Sequence, residues 1–329
     1  MASRIPRPPL QRDTSEPLPI PVEYGGTEIL EYTTTVKHES DEGRECSEYI
    51  RSWAGVTRGF DALETDKIMN SLICLQFEVV SARTNITQNQ KYVAYTVMVT
   101  LAGHTDSYPA IVERRYSEFL HLYVTLRRQY PIQLQAVRFP RKAIIGNFWP
   151  ETITDRSKGF EHFLELICCS PALRNSPQVT NFFQRQELIH AMKLIEQHDF
   201  SHAATLVENC FRLMNKLHTD RSPAVMRNLC LLVCLEAKQD HNPRALDLAC
   251  LAVRRFQSVS DADLLRYYVP LLNLSLDLSI KYGKGTSMLQ DHLAQLRQRG
   301  MALHDSTPLL DLLSEEIATD IGGAGCIRN

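Results

Sequence analysis

The chain has 329 residues, of which 44% are hydrophobic and 22% charged, and its formal net charge is −2. These values are ordinary for a folded protein, and the length predicts about two domains. No uninterrupted apolar stretch of about 18 residues occurs, so no transmembrane helix is expected. The first residues carry no apolar segment of a signal peptide, and the nine cysteines lack paired metal-binding spacing. A cytosolic chain is therefore expected.

Charge is distributed unevenly along the chain. Residues 1–69 hold 8 basic and 13 acidic side chains, whereas residues 70–186 hold 13 basic and 8 acidic ones. A basic middle segment between acidic flanks indicates an anionic ligand for that segment. Because the excess is small, it favours a focused pocket over the long basic surface that nucleic acid needs. No nucleic-acid partner is therefore expected.

The sequence of residues 1–186 predicts an arm followed by an α+β domain. Residues 1–69 are rich in proline and acidic residues and are expected to form a disordered arm. A three-stranded antiparallel meander is predicted over 71–82, 93–103 and 106–116, where β-branched and aromatic residues dominate. Helical periodicity then begins at Ser117 and ends before Pro131. An irregular segment over 131–151, a helix over 152–169 and a short helix over 176–185 complete the domain.

Residues 187–320 are helical in pattern throughout. Helices are predicted over 187–198 and 201–217, and turns near residues 200, 242 and 284 recur about every 42 residues. The spacing predicts three stacked helical hairpins and a final helix that begins near Ser306, followed by a flexible tail over 321–329. Pro270 predicts a kink or a break in its helix. Five side chains of this region are expected to form an exposed patch for an acidic partner: Arg254, Arg255, Arg266, Tyr267 and Tyr268.

The sequence contains none of the common catalytic motifs. GxSxG, HExxH and a complete Walker A string are missing, and the glycine-rich segment at 282–287 lacks the spacing of a phosphate loop. His198 and His202 have the spacing of a metal-binding pair, but they flank a predicted turn and no third ligand is evident. The chain is therefore expected not to be an enzyme and to need neither metal nor cofactor.

The most informative segment is ERRYSEFLHLYVTL (113–126), at a strand end that opens a helix. An arginine fork binds a phosphate through two parallel hydrogen bonds, and an adjacent aromatic ring provides a surface for a sugar-like ring. Further on, Lys142 follows a proline-bearing bend, and Arg156 lies in the first turns of a helix. We expect Arg115, Lys142 and Arg156 to converge on one anion when the irregular segment folds over the helix.

The order of a strand meander, RRYSEF, FPRK and ITDRSKGFEHFLE resembles the PX (phox-homology) domain of sorting nexins over about residues 71–186. With helical hairpins after it, the chain resembles those sorting nexins whose C-terminal, TPR-like module is called PXB. The resemblance implies an α+β PX domain over 70–186, with a three-stranded antiparallel meander and a helical part. An all-α TPR-like domain of helical hairpins follows over 187–320.

The resemblance also implies roles for particular residues. In the family, the arginine at the position of Arg115 binds the 3-phosphate of phosphatidylinositol 3-phosphate, and the aromatic residue at Tyr116 stacks on the inositol ring. The lysine at Lys142 contacts the 1-phosphate, and the arginine at Arg156 binds the hydroxyls at positions 4 and 5 of the ring. Arg114 is expected to support the pocket.

By this resemblance, the chain is expected to be a peripheral membrane adaptor. It would bind phosphatidylinositol 3-phosphate on the cytosolic face of early endosomes and recruit cargo or another protein partner through the helical domain. Ser157 departs from the second basic residue that many members carry there, and the proline loop is short, with Pro131 and Pro140 alone. These departures keep open an alternative, a soluble protein-interaction scaffold with a weak or vestigial lipid pocket.

The loop after Lys142 is expected to contact the membrane. Family members insert apolar residues of this loop, and Ile144 and Trp149 are the leading candidates here, before Ile145 and Phe148. Burial of a large apolar side chain contributes about 1.5–3 kcal/mol, so one or two inserted residues would strengthen a weak headgroup contact markedly. The alternative for Ile145 and Phe148 is that they face the core of the domain.

Overall fold

The structure is a computed structural model that describes residues 21–24, 27–30, 75–86, 90–102, 106, 108–143, 145–239, 242–256, 262–298 and 307–323. Two short antiparallel strands, β1 (Pro21–Tyr24) and β2 (Thr27–Leu30), lie within the first 69 residues. Val22 and Ile29 are paired in this hairpin, and the Gly-Gly sequence between the strands favours a tight turn. The hairpin corrects the expectation of a wholly disordered arm, whose remaining residues lie outside the described ones.

Three strands form the sheet of the middle domain: β3 (Leu75–Ile86), β4 (Lys91–Leu101) and β5 (Ala110–Arg115). They are antiparallel in the order β3-β4-β5, which confirms the predicted meander. The first strand starts at residue 75 and continues to 86, with a bulge between Val79 and Ser81. Residues 93–97 of β4 are all buried, because the central strand is covered on both faces.

Three helices follow the sheet: α1 (Tyr116–Gln129), α2 (Pro150–Cys169) and the single turn α3 (Pro171–Arg174). An aromatic cluster joins the first two helices to the sheet. The rings of Phe119 on α1 and Phe160 on α2 stack with their centres 3.8 Å apart, and Tyr95 of β4 meets Phe160 edge-on at 5.0 Å. All three rings are fully buried, so this cluster forms the core of the α+β domain.

Seven helices make up the rest of the described chain: α4 (Pro177–Glu196), α5 (Phe200–Leu217), α6 (Pro223–Ala237), α7 (Arg244–Phe256), α8 (Ala262–Lys281), α9 (Ser287–Gln298) and α10 (Leu309–Gly323). The prediction of two helices meeting near residue 186 is wrong, since α4 is continuous. The polar run at 184–187 suggests a boundary, but its residues are good helix formers. The buried stripe also continues through it, from Phe183 to Leu188.

The helices pair as α4–α5, α6–α7 and α8–α9, in the order that the turns predict. Ser176 and Ser222 cap α4 and α6, each with a proline directly after it, and Asp199 caps α5. Pro270 lies inside α8 without ending the helix. The last helix, α10, packs against α4, α6 and α8 and buries Leu313 and Ile317.

Arg114 joins the sheet to α4. This side chain is 2% exposed, and its two terminal nitrogens donate to the Glu187 carboxylate at 2.5 and 2.6 Å. Its Nε donates to the Phe182 carbonyl at 2.7 Å. Burial opposes the charged form, but the charge and hydrogen bonds of Glu187 outweigh burial, so the pKa of Arg114 is raised above its ordinary value. The continuous helix α4 is thereby held against the sheet.

Helix α5 covers the free edge of β5. The Asn209 amide donates to the Ile111 carbonyl at 2.6 Å and accepts from the Ile111 N–H at 2.9 Å, so it takes the place of a neighbouring strand. Lys216 donates to Asp106 at 2.7 Å. Burial alone would raise the pKa of Asp106, but hydrogen bonds from Lys216 and backbone N–H groups hold it below its ordinary value. The first helical hairpin and the sheet therefore form one packed unit.

Glu187→Ala is expected to lower the free energy of unfolding by about 3–5 kcal/mol, because it leaves the buried Arg114 charge without its partner. Chemical denaturation followed by circular dichroism measures this change. Glu196→Ala, at an exposed position of the same helix, is the matched control and should alter stability by no more than about 0.5 kcal/mol. Equal effects of the two substitutions would contradict a structural role for the ion pair.

Candidate functional site

Arg115 lies exposed at the end of β5, beside the tip of the β3–β4 hairpin. Its Nη1 donates to Gln90 Oε1 at 3.3 Å, and its guanidinium lies 5.9 Å from the centre of the Tyr92 ring. Its backbone N–H donates to Glu118 at 2.8 Å, which fixes the junction between strand and helix. Because side chains alternate along a strand, Arg115 and Arg114 lie on opposite faces. Arg115 is therefore accessible although its neighbour is buried.

Tyr116 and Arg156 form the floor of the site. The Arg156 guanidinium lies 4.2 Å above the centre of the Tyr116 ring, as in a cation–π contact. Arg156 is 4% exposed, and the Tyr116 ring is half-buried. The Tyr116 hydroxyl donates to the Pro140 carbonyl at 2.9 Å, and burial raises the pKa of this hydroxyl. Helices α1 and α2 and the loop before Lys142 thus meet at one aromatic ring.

The loop that carries Lys142 is attached to α2 at two places. Gly159 lets Pro140 approach the helix so closely that an added Cβ would lie 2.3 Å from the proline Cγ. Beyond Lys142, the Asn147 amide donates to the Ala143 carbonyl at 3.0 Å and accepts from Arg156 Nη2 at 2.7 Å. Lys142 itself is exposed between these two attachments.

Apolar side chains border the site on the loop. Ile145 is 81% exposed and Trp149 is 61% exposed, whereas Phe148 is 38% exposed and lies beneath the Lys91 ammonium at 4.5 Å. The alternative in which Ile145 and Phe148 face the core is therefore wrong. Ile144 lies outside the described residues. The exposed apolar groups stand beside basic ones, which suits a surface that meets a membrane.

The structure brings together Arg115, Tyr116, Arg156 and the loop of Lys142, but it separates Arg114 from them. Glu187 and Phe182 bind the Arg114 guanidinium in the domain interface, so its expected support of the pocket stays a prediction. Sequence reasoning also missed the roles of Asn147 and Gly159. A glycine in the middle of the predicted helix 152–169 was the available signal, since glycine there often marks a close approach.

The exposed patch predicted on the helical hairpins is also wrong. Arg255 is 6% exposed and donates to Asn215, and Tyr267 is 1% exposed and hydrogen-bonded to Glu316 on α10. These two side chains are buried where α7 and α8 pack against neighbouring elements. Arg254 and Arg266 remain exposed. The remaining arginines alone do not make the continuous surface that was predicted.

A three-stranded meander, two helices packed on it and a basic pocket at the β5–α1 junction define a PX domain, here followed by helical hairpins. A sequence profile of the PX domain family matches residues 104–186. Sorting nexin-20 of Rattus norvegicus is 33% identical over 239 residues, which cover 71% of this chain and 75% of that protein. Sorting nexin-21 of Homo sapiens is 32% identical over 245 residues, which cover 74% of this chain and 65% of that protein.

The chain therefore belongs to the sorting nexin family. Among solved structures, an X-ray structure of a designed CISK-PX domain is 25% identical and aligns with a TM-score of 0.28 over 32% of this chain and 96% of that one. Sorting nexins are non-enzymatic, phosphoinositide-binding adaptors of endosomal membranes, and this chain is an adaptor of that class. Among the helices that the structure describes, none is long and apolar enough to cross a bilayer.

Gly159→Ala is expected to weaken the pocket, because the new Cβ would displace Pro140 and with it the loop of Lys142. Overpacking of this kind lowers the free energy of unfolding by about 1–3 kcal/mol. Thermal denaturation measures the loss. Gly285→Ala is the control, since an added Cβ meets no atom within 4 Å at that position. A Gly159→Ala variant as stable as Gly285→Ala would show that the loop does not depend on this contact.

Proposed function

We propose that the chain binds phosphatidylinositol 3-phosphate on early endosomes and recruits a protein partner or cargo tail through its helical domain. Arg115 binds the 3-phosphate, Lys142 the 1-phosphate and Arg156 the hydroxyls at positions 4 and 5, while Tyr116 contacts the inositol ring. The observation that carries this proposal is the exposed Arg115 next to a Tyr116 ring that already holds Arg156 at 4.2 Å. The exposed Arg115 directly precedes the tyrosine whose ring the buried Arg156 covers.

The charges of the pocket support an anionic ligand. Arg115 and Lys142 are exposed, and a phosphate that binds an exposed arginine gains a charge-assisted hydrogen bond worth about 1.5–3 kcal/mol. The Arg156 guanidinium covers one face of the Tyr116 ring, so an inositol ring would contact the part of the tyrosine that remains exposed. Ser157 is neutral and adds no charge to the pocket. Its hydroxyl donates to the Ile153 carbonyl at 3.0 Å.

The exposed loop supports shallow insertion into the membrane. We propose that Trp149 enters the interface beside the pocket, with Ile144 as the second residue of the sequence hypothesis. Trp149 begins α2 as its N-cap residue, so insertion would anchor the helix that carries Arg156. An indole ring buried in the interface contributes about 1.5–3 kcal/mol, comparable with one phosphate contact.

A polar cavity on the helical domain supports recruitment of a partner. Its volume is about 710 Å³, and α4, α6 and the end of α10 line it. Its lining includes Thr180 and His218, whose side chains are hydrogen-bonded at 3.4 Å, and Arg227 and Asp320, which form an ion pair at 2.6 Å. Such a mixture suits an extended peptide whose backbone needs donors and acceptors. The cavity lies on helices packed against the sheet, so membrane and partner binding would cooperate through avidity.

Arg115→Ala is expected to lower binding to vesicles that contain phosphatidylinositol 3-phosphate by about tenfold or more, because one charge-assisted phosphate contact is lost. Vesicle co-sedimentation at two salt concentrations measures binding. Arg128→Ala, which removes an exposed arginine from the last turn of α1, controls for loss of net charge. In a Trp53→Phe background, the fluorescence of Trp149 reports its insertion in the same samples.

Three results of this experiment would contradict the proposal or a part of it. Equal binding by the wild type and Arg115→Ala would remove Arg115 from the phosphate site. A wild-type chain that ignores every phosphoinositide would favour a soluble scaffold with a vestigial pocket. Unchanged Trp149 fluorescence on vesicles to which the chain binds would contradict insertion while leaving headgroup recognition intact.

Thr180→Trp is expected to abolish binding of a protein partner through the cavity, because the indole ring would fill much of the space between α4 and α6. Partner affinity is measured by calorimetry with a peptide that binds the wild type. Vesicle binding by the same variant should remain at the wild-type level and serves as the folding control. A partner that binds Thr180→Trp with unchanged affinity would place its site elsewhere.

A further inference from the structure

Asn147 lies in a tight turn that joins the loop to α2. The Trp149 N–H donates to the Gly146 carbonyl at 3.1 Å, and Gly146 has a φ of 81°, which favours glycine. The following side chains diverge from this turn, with Phe148 beneath Lys91 and Trp149 at the surface. Two hydrogen bonds hold the Asn147 amide, one with Arg156 on α2 and one with the Ala143 carbonyl in the loop.

The Asn147 amide bridges two groups of the proposed pocket. Its Nδ2 donates to the carbonyl of Ala143, the residue after Lys142, and its Oδ1 accepts from Arg156 Nη2. One carboxamide makes both bonds at once because it carries a donor and an acceptor. Asn147 thereby couples the segment that carries Lys142 to the guanidinium on α2.

The hydrogen-bonding capacity of Arg156 for an anionic ligand is limited. Arg156 is 4% exposed and packed over Tyr116, and one of the two N–H groups of its Nη2 donates to the neutral Asn147 oxygen. A phosphate group is bound best through two parallel N–H bonds from one guanidinium, whereas a hydroxyl needs a single one. With one Nη2 N–H bound to Asn147, the edge of the guanidinium that includes this N–H can offer a single bond, which suits a hydroxyl better than a phosphate.

We propose that Asn147 determines headgroup selectivity: by binding one N–H of Arg156 Nη2, it favours an inositol ring with free 4- and 5-hydroxyls over one that carries a phosphate there. The inference rests on the proposed function, since it takes Arg156 to face those ring positions. Asn147→Ala frees the bound N–H of Nη2 and opens space for a phosphate. Asn147→Asp keeps the shape of the side chain but adds a negative charge, which repels a phosphate.

The two substitutions are expected to move selectivity in opposite directions. Full-length protein is sedimented with three vesicle types, which contain phosphatidylinositol 3-phosphate, its 3,4-bisphosphate or its 3,5-bisphosphate. The ratio of bisphosphate to monophosphate affinity should rise about tenfold in Asn147→Ala, the size of one charge-assisted hydrogen bond, and should fall in Asn147→Asp. Gln290→Ala, which removes an exposed carboxamide from α9, is the control and should keep the wild-type ratio.

The possible outcomes separate this inference from the proposed function. Opposite shifts of the ratio support a selectivity role, because a merely structural role would weaken binding to all three vesicle types in both variants. An equal loss on all vesicles, or an unchanged ratio, overturns the inference while wild-type binding upholds the proposed function. A wild type that binds none of the vesicles overturns both. Since Asn147→Asp is nearly isosteric, it answers the question if Asn147→Ala fails to fold.

Discussion

The alternation of side chains at the end of β5 is the constraint on which the rest of this molecule depends. Two consecutive arginines must lie on opposite faces of the strand. Arg114 is buried and bound to Glu187, where it holds α4 against the sheet, whereas Arg115 is exposed at the pocket. A shift of one residue in register would exchange these positions, place an unpaired charge in the interface and remove from the pocket the arginine that is proposed to bind phosphate.

Three residues on one face of helix α2 make separate contacts that the fold and the pocket require. Arg156, Gly159 and Phe160 have i, i+3 and i+4 spacing, so they point in similar directions. Phe160 stacks on Phe119 in the core, Gly159 admits Pro140, and Arg156 covers Tyr116. The same helix orientation that fills the core therefore also sets the floor of the pocket and the path of the loop. Because one helix fixes the core and the loop together, Lys142 is presented at a defined place although it lies in a long loop.

Helices close both edges of the small sheet. Glu161 on α2 accepts the Val79 N–H of β3 at 2.7 Å, and Asn209 on α5 pairs with Ile111 of β5. Side chains thus satisfy backbone groups that a further strand would otherwise bind, which protects a three-stranded sheet from edge pairing. Because the second of these helices belongs to the first hairpin, the helical domain completes the sheet. The lipid pocket and the polar cavity are consequently held in one packed unit.

The sequence by itself determined the order of elements, the helical hairpins and the candidate residues of the pocket, because periodicity, caps and the RRYSEF motif are local properties. Only the tertiary structure decided that Arg114 serves the domain interface, that α4 is continuous and that Arg255 and Tyr267 are buried. The burial of Arg114, Arg255 and Tyr267 depends on partners far along the chain, such as Glu187 for Arg114. The roles of Asn147 and Gly159 likewise follow from contacts that form when the loop meets α2; a glycine within the predicted helix signals a close approach but not its partner.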